Sequence, residues 1–119
     1  TAGIFTVSGA STFNAGANAI TLTGINAFGN TVNLTGGTTQ ITNGGSLTLG
    51  SLNTGALTAV SVAGALNLGT GTVNGALTAT SDGLLNESGG LTVTGLASFI
   101  QNSTGPTSIC RKPTISTVA

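Results

Sequence analysis

Gly55-Ala56-Leu57-Thr58-Ala59 returns one repeat later as Gly75-Ala76-Leu77-Thr78-Ala79. Gly95-Leu96-Ala97-Ser98-Phe99 is a degenerate third copy at the same spacing, and Thr72-Val73 returns at Thr92-Val93. A repeat of this period restricts the chain to architectures that stack one supersecondary unit on the next. The unit is made of strands. Apolar residues alternate with Thr and Asn in Ile20-Thr21-Leu22-Thr23, Val32-Asn33-Leu34-Thr35, Leu47-Thr48-Leu49 and Leu91-Thr92-Val93-Thr94. That is the period of a pleated strand and not of a helix, and β-branched Thr suits such a surface. Gly36-Gly37, Asn43-Gly44-Gly45, Asn74-Gly75 and Ser88-Gly89-Gly90 fall between the runs, where turns need residues that tolerate positive φ. Strands of about three to five residues follow.

One such unit holds too few inward Leu, Val or Phe side chains to build a core alone. Stacking solves this by placing like residues above like and pairing each strand with its equivalent one coil away. Three apolar columns are expected: Leu57/Leu77/Ala97, Leu66/Leu85 and Leu52/Val73/Val93. Gly3 to Phe13 also echoes Gly89 to Phe99, at an offset close to four coils. The expected fold is all-β, a right-handed parallel β-helix (β-solenoid) of about 20 residues per coil, with the hand set by the known bias of parallel crossovers. Some five coils would rise about 25 Å at the strand spacing. A β-sandwich would also use short strands and Gly-rich turns, but it predicts no aligned columns at a fixed repeat. The repeat segment is assigned to 1-100, and 101-119 to a divergent tail.

Composition supports a folded stack and narrows its chemistry. Gly, Thr, Ser and Asn make up more than half of the chain, and the only charged side chains are Asp82, Glu87, Arg111 and Lys112. Disordered chains are poor in aliphatic residues and usually carry net charge. Here aliphatics recur every few residues, net charge is zero and mean hydropathy is +0.44. Nucleic acid is not an expected partner, because both basic residues stand together at 111 and 112. The apolar runs are far shorter than the roughly 20 residues of a membrane-spanning helix. No secretion signal is visible at the N-terminus.

The residues that could carry chemistry read as structural. Asp82 precedes Gly83, and Glu87 precedes Ser88-Gly89-Gly90, so both are expected as exposed turn charges and not as the carboxylate pair of a glycosidase. There is no His for a catalytic triad or a His-ligated metal. Cys110 is alone and is read as a spare thiol. The Gly-rich stretches lack a phosphate-binding GxxxxGK[ST] motif, and the recurring Asp of calcium-binding nonapeptides is missing. No catalytic, cofactor-binding or metal-ligating residue is expected, and no cofactor. Asn33, Asn86 and Asn102 begin glycosylation sequons that chance explains in so Asn- and Thr-rich a chain. Thr21-Leu22-Thr23, Thr78-Ala79-Thr80 and Thr92-Val93-Thr94 suggest the Thr ladders of ice-binding solenoids. Thr78 and Thr92 are less than one repeat apart, however, and are expected on different faces as ordinary solvent-facing Thr.

Asn18-Ala19-Ile20-Thr21-Leu22-Thr23, then Thr31 to Gly37, then Leu47-Thr48-Leu49-Gly50-Ser51-Leu52-Asn53-Thr54-Gly55-Ala56-Leu57-Thr58-Ala59, resembles filamentous haemagglutinin-type adhesins. It is similar to the repeat region of two-partner secretion exoproteins from about Gly3 to Phe99. The resemblance implies a non-enzymatic structural shaft on the surface of a Gram-negative bacterium, exported by an outer-membrane transporter of the two-partner type. It also implies a host-cell or neighbouring-cell receptor or glycan as the adhesin's target. A β-solenoid binding module for ice or carbohydrate is the alternative, and a polysaccharide-active enzyme ranks behind it. The tail, with Pro106, Cys110, Arg111, Lys112 and Pro113, departs from the pattern and is read as a divergent end, a cap or an extension. As a cap it would guard the last strand edge. The uncharged N-terminal coil would then be a stacking surface for end-to-end self-association.

Overall fold

The computed structural model describes residues 4–87, 89–101 and 115–117. Strands β1 (Thr6–Val7) and β2 (Ser11–Asn14) open the stack. The next coil holds β3 (Ile20–Phe28) and β4 (Val32–Thr35), and the one after it β5 (Thr39–Asn43) and β6 (Leu47–Thr54). Two three-strand coils follow: β7 (Leu57–Ser61), β8 (Leu66–Leu68) and β9 (Thr70–Val73), then β10 (Leu77–Ser81), β11 (Leu85–Glu87) and β12 (Leu91–Val93). β13 (Ala97–Gln101) and β14 (Ile115–Thr117) come last.

The described pairings are parallel and join each strand to its equivalent in the neighbouring coil, so the chain is a parallel β-solenoid of about five turns. Three faces result. The first stacks the start of β3, then β5, β7, β10 and β13. The second holds β1 beside the end of β3, and the start of β6 with β8 and β11. The third stacks β2, β4, the end of β6, β9, β12 and β14. β3 and β6 exceed the expected strand length because each turns a corner and serves two faces. On the first face Ile20, Thr39, Leu57, Leu77 and Ala97 succeed one another, and the intervals between them are unequal. The mean coil of roughly 19 residues is slightly shorter than expected. Corners and bulges absorb the variation while the ladders stay aligned.

Alternation in the sequence becomes inside and outside. Leu57, Leu66, Val73, Leu77 and Val93 are buried, and each has a like residue in an adjacent coil: Leu57 beside Leu77, Leu66 beside Leu85 and Val73 beside Val93. Each Leu or Val so buried contributes about 1.5–3 kcal/mol against leaving it in water. Two of the three expected columns are present as drawn. The third is corrected: Leu52 stands beside Leu34 and Gly71, and it is buried Thr54 that stands beside Val73. The cause is coil length: β6 and β9 pair at a spacing shorter than the separation of Leu52 and Val73, so Val73 faces Thr54. The longer echo between Gly3–Phe13 and Gly89–Phe99 is corrected as well. Val7 lies beside Phe28 on the second face, whereas Val93 lies beside Val73 on the third, so the two segments occupy different faces.

The chain has four Phe and no Trp or Tyr, and the fold places these rings at the ends of the stack. Phe5, Phe13 and Phe28 form a cluster with centroids 5.8–6.4 Å apart at the first end. Phe99 finishes the column Leu22/Ile41/Ala59/Ala79 at the other. The tail is not wholly outside the stack, since Ile115–Thr117 pairs with Leu91–Val93. Pro106, Cys110, Arg111, Lys112 and Pro113 lie outside the described residues.

Candidate functional site

The interior carries a polar column, of which the sequence showed only Asn43, and that as a turn residue. Asn26, Asn43, Ser61 and Ser81 align at the corner between the first and second faces, and all are buried. Asn26 Oδ1 accepts the Phe5 N–H at 2.9 Å, while its Nδ2 donates to the carbonyls of Leu22 at 3.0 Å and Thr42 at 2.9 Å. Asn43 repeats the device: Oδ1 accepts the Phe28 N–H at 2.8 Å, and Nδ2 donates to Ser46 O at 2.7 Å. In the next coils a hydroxyl replaces the amide. Ser61 Oγ donates to Gly45 O at 2.8 Å, and Ser81 Oγ lies 3.0–3.1 Å from the carbonyls of Gly83 and Gly64. A corner exposes backbone groups that no ladder reaches, and buried ones must find partners. The column supplies those partners. Its signal in the sequence was recurrence after alternating runs, at Asn43, Ser61 and Ser81, where β5, β7 and β10 end.

At Asn43 the column also bridges a gap. No strand pairing links the end of β3 to the start of β6 among the described residues, and the Asn43 amide holds Phe28 in its place. A groove of about 380 Å³ opens there, lined by Phe28, Asn30, Asn43, Ser46 and Thr48 among others. Its side chains are uncharged, and with Asn43 already bonded to backbone it presents neither an activated nucleophile nor an acid–base pair.

Outside, the first face presents Thr21, Gln40, Thr58, Thr78 and Ser98 in one aligned column. The third presents Asn14, Thr35, Asn53, Thr72 and Thr92. Thr78 and Thr92 therefore do lie on different faces. Asp82 is exposed at a corner, equivalent to Gly44 and Val62 in earlier coils, and Glu87 ends β11 on the second face. Among the described residues no group of three His, Cys, Asp or Glu could hold a metal. Among them no helix is long and apolar enough to cross a membrane. Of the sequon residues, Asn33 is engaged: its Oδ1 accepts the Ser51 N–H at 2.8 Å. Asn86 is exposed on β11, and Asn102 lies outside the described residues.

A stack of near-equivalent coils with backbone-bonded corners and sparsely charged faces defines a β-solenoid repeat protein. The chain belongs to the DUF5649 family, repeats of unknown function, whose profile matches residues 1–35 and 55–109. No curated protein and no solved structure matches it significantly.

Proposed function

We propose that this chain is a structural shaft segment of a large secreted bacterial adhesin of the filamentous haemagglutinin type. The observation that supports the reading most is coil-to-coil equivalence: neighbouring coils repeat the same ladders, columns and corner bonds. An element whose units all do the same work suits a spacer, which gains length by adding coils. The absence of charged side chains before Asp82 also suits passage through a transporter in extended form, with folding driven by stacking after export. The outer-membrane transporter of the two-partner type, the surface location and the receptor or glycan at the fibre's far end belong to this proposal.

Antibodies against the chain, applied to intact cells, test it. Surface labelling that disappears when the transporter is deleted is the expected result. Labelling only after the cells are broken open overturns it. The reading also assigns no catalysis. Asp82→Ala combined with Glu87→Ala should leave any polysaccharide cleavage by the whole protein unchanged, as measured by release of reducing ends.

A further inference from the structure

The outward side of the first face is a two-dimensional grid. Gln40, Thr58, Thr78 and Ser98 align in one column, and Thr42, Val60, Thr80 and Ile100 in a second. From β5 to β13 the registers run without a shift, whereas the third face slips at Val32–Leu34. The backbone fixes both spacings, about 4.8 Å between coils and about 6.6 Å between residues two apart on a strand. No member is charged, and apart from Gln40 the side chains are short or β-branched. The hydroxyls of Thr58, Thr78 and Thr80 have no protein partner among the described residues.

We propose that this face binds ice. Several other ligand classes fit it poorly. Without charge it has no electrostatic hold on an acidic or basic polymer. Without an aromatic ring it has no amphipathic platform on which a sugar could stack. Thr, by contrast, offers a hydroxyl that fixes a water molecule and a methyl that excludes disordered ones. Repeated on a rigid ladder, such groups hold waters at spacings of the same order as an ice lattice, and the ladder has already lost the freedom that binding would otherwise cost. The comparison of Thr78 with Thr92 in the sequence missed this grid, because its other members are Thr58, Thr42 and Val60 in neighbouring coils. The inference does not rest on secretion or adhesion, and either reading can fail alone.

The test is inhibition of ice recrystallisation by the purified chain, together with the shaping of a single ice crystal. Both effects are expected from the unmodified chain. Both should be lost in Thr58→Tyr, which raises a bulky ring from the middle of the grid, and retained in Asn53→Tyr on the exposed third face. Far-UV circular dichroism checks that the variants fold. If Thr58→Tyr does not fold, Thr58→Lys takes its place. No effect of the unmodified chain on ice, or equal loss in both variants, overturns the proposal. So does retention on crystalline cellulose, or self-association by sedimentation, that depends on Thr58 while ice growth is unaffected.

Discussion

At the residue scale, Asn43 has a role that no apolar side chain could fill. Its amide satisfies the Phe28 N–H and the Ser46 carbonyl where the second-face ladder is interrupted. Asn43→Leu should therefore destabilise the chain by about 2–4 kcal/mol, because the lost hydrogen bonds leave buried backbone groups unpaired. Chemical denaturation followed by circular dichroism measures this, and a chain without Trp or Tyr makes backbone signals the practical readout. Leu77 is the apolar counterpart, buried between Leu57 and Ala97. Leu77→Asp puts an unpaired carboxylate into that stack and should cost at least about 3 kcal/mol. A Leu77→Asp chain that melts with the parent would contradict the register.

At the scale of elements, the close approach of successive coils decides which residues the corners accept. A Cβ at Gly69 would overlap the carbonyl oxygen of Gly50 in the preceding coil. Gly75 combines a φ of 147° with a Cβ position 3.0 Å from Ala56 N. Gly69→Ala should lower stability by about 1–3 kcal/mol as the corner is pushed apart. Limited proteolysis would register the same change as new cleavage between β8 and β9. Strand edges matter in the same way. β2 pairs only with β4 among the described residues, and β1 only with β3, so both present an unpaired side.

At the scale of the whole molecule, those edges predict association. Parallel ladders propagate through this chain without charge to stop them, and an open, uncharged edge is a template for another strand. As a separate molecule the chain should form oligomers whose size grows with concentration. Thr6→Lys combined with Thr12→Lys, both at exposed positions, should shift sedimentation velocity profiles towards monomer. A parent chain that stays monomeric at high concentration, unaltered by the two lysines, would show that the first coil's edge is covered. At the other end of the third face β12 is paired on both sides, with β9 and with β14.

The class of fold was legible along the chain, because period-two alternation and the return of Gly55–Ala59 at Gly75–Ala79 leave little besides stacked parallel coils. The sequence also placed Leu57 over Leu77 and Leu66 over Leu85, where spacing is regular and like residues recur. Where coil length changes, spacing alone misassigned the partner, as at Leu52, whose neighbour is Gly71 and not Val73. The polar corner column was legible only at Asn43, as part of a turn, since an Asn or Ser at the end of an alternating run looks alike whether its side chain points to solvent or to buried carbonyls. The repeat aligned Thr58 with Thr78, but the rest of the Thr grid was not legible along the chain, because Gln40, Thr42, Ser98 and Ile100 join it from coils where the repeat is degenerate. Pairing between coils is a long-range choice made by packing and by hydrogen-bond satisfaction together. Only the tertiary structure decides which of several similar residues stand side by side.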